Sequence, residues 1–202
     1  MTHNEKTFIK HVKSKCKEHN VKLILKNTKK IKIWDKTYVG GYFNDISTTK
    51  GELVCATNNT EYLNLLVHEF SHMEQWIEKT PLWKSIDTGA VDEWLHGKDI
   101  KFIKNKIDKI KYMELDCEKR AVKNIKHHKL PVNIETYIQK ANSYILFYNY
   151  LKETRQWSRP GNAPYSLKNK ELWSLCPTKF MPDSYYEKIP KRIYKKFIEL
   201  DI

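Results

Sequence analysis

The stretch LVHEFSHMEQW, residues 66–76, sets His68 and His72 four residues apart, with Glu69 directly after the first. On a helix this spacing puts both imidazoles on one face, one turn apart and close enough to share an ion. Zinc takes two or three such nitrogens with a carboxylate or thiolate and keeps one position for water. A glutamate beside the first histidine stands where it can accept a proton from that water. Only three positions define the motif, so its surroundings have to carry the reading.

Those surroundings predict a helix over NNTEYLNLLVHEFSHMEQWIEK, residues 58–79, capped by Asn58, Asn59 or Thr60 and halted near Pro81. Leu63, Leu66, Phe70, Met73 and Ile77 recur at helical spacing as an apolar stripe. His68 and His72 fall opposite, with Glu61, Asn64, Gln75 and Lys79, which argues against a pair of core histidines. Leu65, Glu69 and Trp76 occupy the flank, so the helix is apolar around more than half its girth. That pattern suits the floor of a cleft better than a wet surface.

A second long helix is expected over residues 98–129, KDIKFIKNKIDKIKYMELDCEKRAVKNIKHHK, ended by Pro131. Its buried stripe runs through Ile103, Ile107, Ile110, Cys117, Ala121 and Ile125, and Glu114 sits in the middle of it. An isolated ionised carboxylate there costs on the order of several kcal/mol. Glu114 is therefore expected to be protonated, paired with a lysine of another helix, or bound to a metal. Glu118 lies at the stripe's edge, and Asp116 points away.

The rest of the chain reads as α+β. A short helix over residues 4–20 buries Phe8, Ile9, Val12 and Cys16, and is followed by strand-like runs VKLILK, KIKIW, KTYVGGYF and GELVCA. These predict a small antiparallel sheet ahead of the helices, with Gly40-Gly41 marking a bulge or a close backbone approach. Residues 80–98 read as a loop. NIETYIQKANSYILFYNYLKETRQW, residues 133–157, reads as a third helix, and KRIYKKFIEL, residues 191–200, as a short last one. The length of 202 residues fits one domain, 1–202.

Bulk properties narrow the function classes. A 40% hydrophobic and 12% aromatic composition opposes disorder, and no run of apolar residues is long enough to span a membrane. The polar start MTHNEKTFIKHVKSK is unlike a secretion signal, and Cys16, Cys55, Cys117 and Cys176 lack a C-x-x-C pair. Reduced, buried thiols in a cytoplasmic protein are the expectation. The net charge of +13 is nearly all lysine, with arginine only at positions 120, 155, 159 and 192. Base readout leans on arginine, so this charge reads as a solvated surface with weak nonspecific nucleic-acid binding at low salt.

Several further residues carry a smaller signal. His127-His128 suit the C-terminal dipole of the second long helix. Tyr144, Tyr148 and Tyr150 are either core aromatics or phenols able to steady an oxyanion. Trp157 and Tyr165 flank RPGNAP, a plain loop or a lid.

With H-E-x-x-H on one helix and ELDCEKRAV on a later one, the chain resembles the gluzincin zinc metallopeptidases. The resemblance implies a zincin-like fold with zinc held by His68, His72 and Glu114, and with Glu69 as the catalytic base. In that family an Asp usually steadies a ligand histidine; Glu118 stands in its place here. GELVCA looks like the family's edge strand, which binds peptide by strand addition. LVHEFSHMEQW, ELDCEKRAVKNI and YIQKANSYILFYNYLKETRQW together look like small metallopeptidase-like proteins of tailed phages, which implies the host cytoplasm as compartment. VGGYF and HGKDIKF are similar to parts of the SprT-like proteases, which would make His96 the third ligand; here Phe102 comes two residues later than their H-G-x-x-F requires. The implied partner is a peptide or protein substrate. A zincin shell that binds nucleic acid or a phage assembly partner without turnover is the alternative.

Overall fold

The computed structural model describes residues 1–34 and 37–202. Lys36, the first residue of the run KTYVGGYF, lies outside the described residues. Two compact units form. One comprises Met1–Thr80 with Cys117–Asn133, the other Pro81–Asp116 with Ile134–Ile202.

The first unit begins with helix α1 (His3–Glu18), capped by Thr2 in a reciprocal arrangement with Glu5. Phe8, Val12 and Cys16 form its buried face. Strands β1 (Val21–Lys26), β2 (Ile31–Trp34), β3 (Thr37–Val39), β4 (Gly41–Ser47) and β5 (Lys50–Ala56) follow. The three-stranded sheet has the order β1-β5-β4, and β2 pairs with β3 separately. This corrects the expectation of an antiparallel sheet, because β1 runs parallel to β5 from Val21↔Gly51 to Lys26↔Ala56. The long connection between those strands is what permits a parallel return.

The same order corrects the placing of GELVCA at an edge. β5 is central, bonded to β1 on one side and antiparallel to β4 on the other. Leu53, Val54, Cys55 and Ala56 are all completely buried. A strand covered on both faces reads as a continuous apolar run rather than an alternating one, and Leu-Val-Cys-Ala is such a run. The outer strand next to the motif helix is β4.

Helix α2 (Tyr62–Ile77) lies against β4 and β5. Its N-cap is Glu61, with no side-chain cap; Asn59 instead accepts the Glu61 amide at 2.9 Å and closes the preceding turn. The glycine pair proves to be a close approach. A Cβ on Gly40 would collide with Leu65, and one on Gly41 would lie 2.9 Å from the Val54 carbonyl oxygen and 3.3 Å from Glu69 Cγ. Phe70 meets Phe8 edge-on at 5.8 Å, and Cys16 Sγ touches Met73 Sδ at 3.6 Å, so α2 is held from the α1 side as well.

The second unit holds α3 (Pro81–Ser85) and α4 (Thr88–Leu95), two short helices where a loop was expected. Asp87 caps α4 by accepting the Ala90 amide. Helix α5 (Ile103–His127) begins in this unit and ends in the first. Helix α6 (Ile134–Thr154), the one-turn α7 (Lys170–Trp173) and α8 (Lys191–Glu199) complete the chain. Ile107, Leu115, Ile145, Phe147, Leu172, Tyr186, Ile193 and Phe197 are the heart of the second unit's core.

Lys111 of α5 is buried as well. Its Nζ reaches Asp108 Oδ1 at 2.7 Å, the Tyr186 carbonyl at 3.0 Å and Asn149 Oδ1 at 3.2 Å. A buried ammonium needs this degree of satisfaction.

Candidate metal centre

The motif helix buries its polar face. Gln75 is fully buried and Glu69 and His72 are each 8% exposed, which removes the wet-surface reading. The two imidazole centroids are 4.7 Å apart and nearly perpendicular. From α5, Cys117 brings its Sγ to 3.7 Å from His68 Nδ1, and its thiol donates to the His68 carbonyl at 3.4 Å. His68, His72 and Cys117 together form a group able to hold a metal ion, with their ligand atoms mutually within 4.8 Å.

Glu118, one residue on, faces His68 Nδ1 with Oε1 at 3.2 Å. A carboxylate oxygen beside a ring nitrogen favours a proton on that nitrogen, which puts the neutral ring's lone pair on Nε2. Burial by itself would depress the His68 pKa, but Cys117 and Glu118 outweigh it and hold the ring well above its ordinary value. The other oxygen of Glu118, Oε2, is buried without a hydrogen-bond partner. His72 is set by a different group: its Nδ1 lies 3.0 Å from Gln75 Oε1.

Further along, α5 is fastened to α2 by polar contacts. Asn124 Nδ2 donates to Glu74 Oε2 at 2.9 Å and to Ser71 Oγ at 3.5 Å, and Arg120 Nη1 donates to Glu78 Oε1 at 2.9 Å. Burial raises the Glu74 pKa against the opposing pull of Asn124 and Arg120. These contacts fix the register that brings Cys117 and Glu118 to His68. Beside the histidines, the charge of Glu69 adds to burial in pushing the neighbouring Cys55 thiol up to about 12. All four cysteines are buried thiols outside any disulfide, as expected from their spacing.

The other candidates are placed as follows. Glu114 belongs to the second unit and is 8% exposed; burial, then Tyr148, then the charge of Glu114 raise the Tyr144 pKa. Glu114 stands three and four residues before Cys117 and Glu118 on α5, hence on the same helix face. His96 is exposed at the end of α4, its Nδ1 2.7 Å from the Asp92 carbonyl, and it is outside the metal-capable group. Tyr144 and Tyr148 join hydroxyls at 2.8 Å, whereas Tyr150 packs on Phe197 in the core. Trp157 meets Phe147 edge-on and Tyr165 meets Tyr144 the same way, and Asn162 ties the loop between them to the Leu200 and Asp201 carbonyls. His128 packs against Phe8 and His11, while His127 is exposed.

Cys117 and Gln75 are the two residues that sequence reasoning assigned elsewhere. Cys117 counted as part of an apolar stripe, and a buried thiol looks the same as a small hydrophobe there. Gln75 was placed on the histidine face but given no role. The i, i+3 spacing from His72 was the one available signal.

Two imidazoles and a thiol are a donor set able to hold a transition-metal ion. Among the described residues no helix is long and apolar enough to cross a membrane. No protein-family model matches the chain, and neither a curated protein nor a solved structure matches it.

Proposed function

We propose that the chain is a zinc-dependent peptidase in which His68 and His72 hold the ion and Glu69 is the general base. The observation that supports it is the buried Glu69 directly beside two histidines whose Nδ1 atoms are both engaged. A metal-holding site has no need of that glutamate, whereas hydrolysis does. A zinc ion bound there would polarise a scissile carbonyl and lower the pKa of a water to about 7. Glu69 takes the proton of the attacking water and passes it to the leaving amine. Glu118 keeps the His68 ring oriented through Nδ1, and Gln75 does the same for His72. As third ligand we propose Glu114, the position the gluzincin resemblance implies. Strand addition by a peptide moves from β5 to β4, the outer strand whose Gly41 lies against Glu69.

A second reading has its own observation. The donor grouped with the histidines is the thiol of Cys117, and thiolate-containing zinc sites are commonly closed and structural. In that case the protein holds a metal without turnover.

The first test is elemental analysis of protein purified without chelator, which should show about one zinc per chain. Glu69→Gln should retain that zinc and the fold yet lose hydrolysis of a broad peptide library by several orders of magnitude. Wild-type protein with zinc but no hydrolysis sinks the peptidase and leaves the closed centre. Less than about a tenth of a zinc per chain, unchanged on adding zinc, sinks both.

A further inference from the structure

We infer that Gln75 is a positioning residue that sets the tautomer of His72 and so presents its Nε2 lone pair outward before any metal arrives. The inference rests on the metal reading above for its purpose, though not for its geometry.

Gln75 Oε1 lies 3.0 Å from His72 Nδ1. An amide oxygen only accepts, so the proton in this contact belongs to Nδ1. A neutral imidazole carries a single N–H, and a ring protonated at Nδ1 has its lone pair at Nε2. In water histidine favours the opposite tautomer, with the proton on Nε2, so the amide works against the intrinsic preference. Gln75 is fully buried, and His72 itself is 8% exposed, so water does not compete effectively for the contact.

The placement is informative as well. Gln75 is three residues beyond His72 on the same helix, which makes the motif here H-E-x-x-H-x-x-Q. The acceptor therefore moves rigidly with its histidine. His68 is handled differently, since its Nδ1 faces Glu118 from α5. One ligand is preset within α2, and the other only once α5 has docked. Leucine at position 75 would fill similar space, so burial alone does not require a glutamine there.

The experiment is a long-range nitrogen–proton NMR spectrum of metal-free protein, which reads the tautomer of each histidine. Wild-type His72 should be the Nδ1–H form. Gln75→Leu should shift it to Nε2–H or to a mixture, whereas Gln75→Glu, which still accepts from Nδ1, should keep it. Zinc affinity should follow: about 10- to 100-fold weaker in the leucine variant and within a few-fold of wild type in the glutamate variant. A purely structural glutamine would lower the melting temperature without moving the tautomer. Finding wild-type His72 as Nε2–H, or unchanged as Nδ1–H in a folded Gln75→Leu protein, overturns the inference. Loss of zinc binding in wild type itself would instead strike the metal reading, because the tautomer is read without metal.

Discussion

His68 meets α5 through a carboxylate at 3.2 Å and a thiol at 3.7 Å, both on its Nδ1 side. If Nε2 is the ligating atom, Glu118 supports the ring and Cys117 lies behind it; the third donor then has to come from elsewhere. That logic ranks the variants. Glu114→Gln should weaken zinc by at least about 10- to 100-fold, Glu118→Gln by less, and His96→Ala should stay within a few-fold. Cobalt substitution separates the readings directly, since a coordinated thiolate gives an intense near-ultraviolet charge-transfer band and a carboxylate does not. That band, together with a loss confined to Cys117→Ser, would assign Cys117 and move the protein to the closed-centre reading. A dominant effect of His96→Ala would favour the SprT-like pattern. His68, Glu69 and His72 were legible because their spacing is short and lies within one helix. Gln75 was not, because burial of a polar side chain depends on which element covers it, and no local pattern encodes that; Cys117 was legible as a buried residue but not as a neighbour of His68.

At the scale of elements, the helices were readable from 3.6-residue periodicity: α1, α2, α5 and α6 fall close to the expected residues. The sheet was less so. Strand order and direction depend on pairing across the chain, and the run Leu53–Ala56 signals burial on two faces without naming its neighbours. The glycine pair at the start of β4 did carry its meaning, a close approach to α2. A testable asymmetry lies within it. The methyl of Gly41→Ala meets a backbone carbonyl at 2.9 Å, which cannot yield, and Glu69 Cγ at 3.3 Å. The methyl of Gly40→Ala meets the Leu65 side chain first, and that side chain can rotate. Gly41→Ala should therefore cost about 1–3 kcal/mol in urea unfolding and disturb Glu69, with Gly40→Ala costing less. Equal or reversed costs would mean that β4 is not held against α2 in the way described.

Across the whole molecule, acid acts on the two units through different groups, and in the first a histidine cluster is one of them. There α1 packs with the end of α5 through that cluster: His11 and His128 are 4.9 Å apart by ring centroid, His127 and His128 4.7 Å. Phe8 and Phe70 line the same contact. Burial, then Lys15 and His127, depress the His11 pKa against a smaller opposing effect of Glu18; burial, then His11 and His127, depress that of His128. Both fold with pKa values below the ordinary 6.5, so the unfolded chain binds protons more readily. The stability they contribute is complete above pH 6.5 and is lost as pH falls from there through the folded values. In the second unit, Asp108 is held below its ordinary value by Lys111 and Lys152 despite burial, and its contribution is lost only in a far more acidic range. Metal-free wild-type protein should thus lose more melting temperature between about pH 7.5 and about pH 5.5 than a His11→Gln/His128→Gln variant does. The difference between the two proteins isolates these rings from every other titrating group. Parallel melting curves over that range would show that the cluster carries no acid sensitivity, whereas a variant that flattens the wild-type slope places the acid-labile contact at α1.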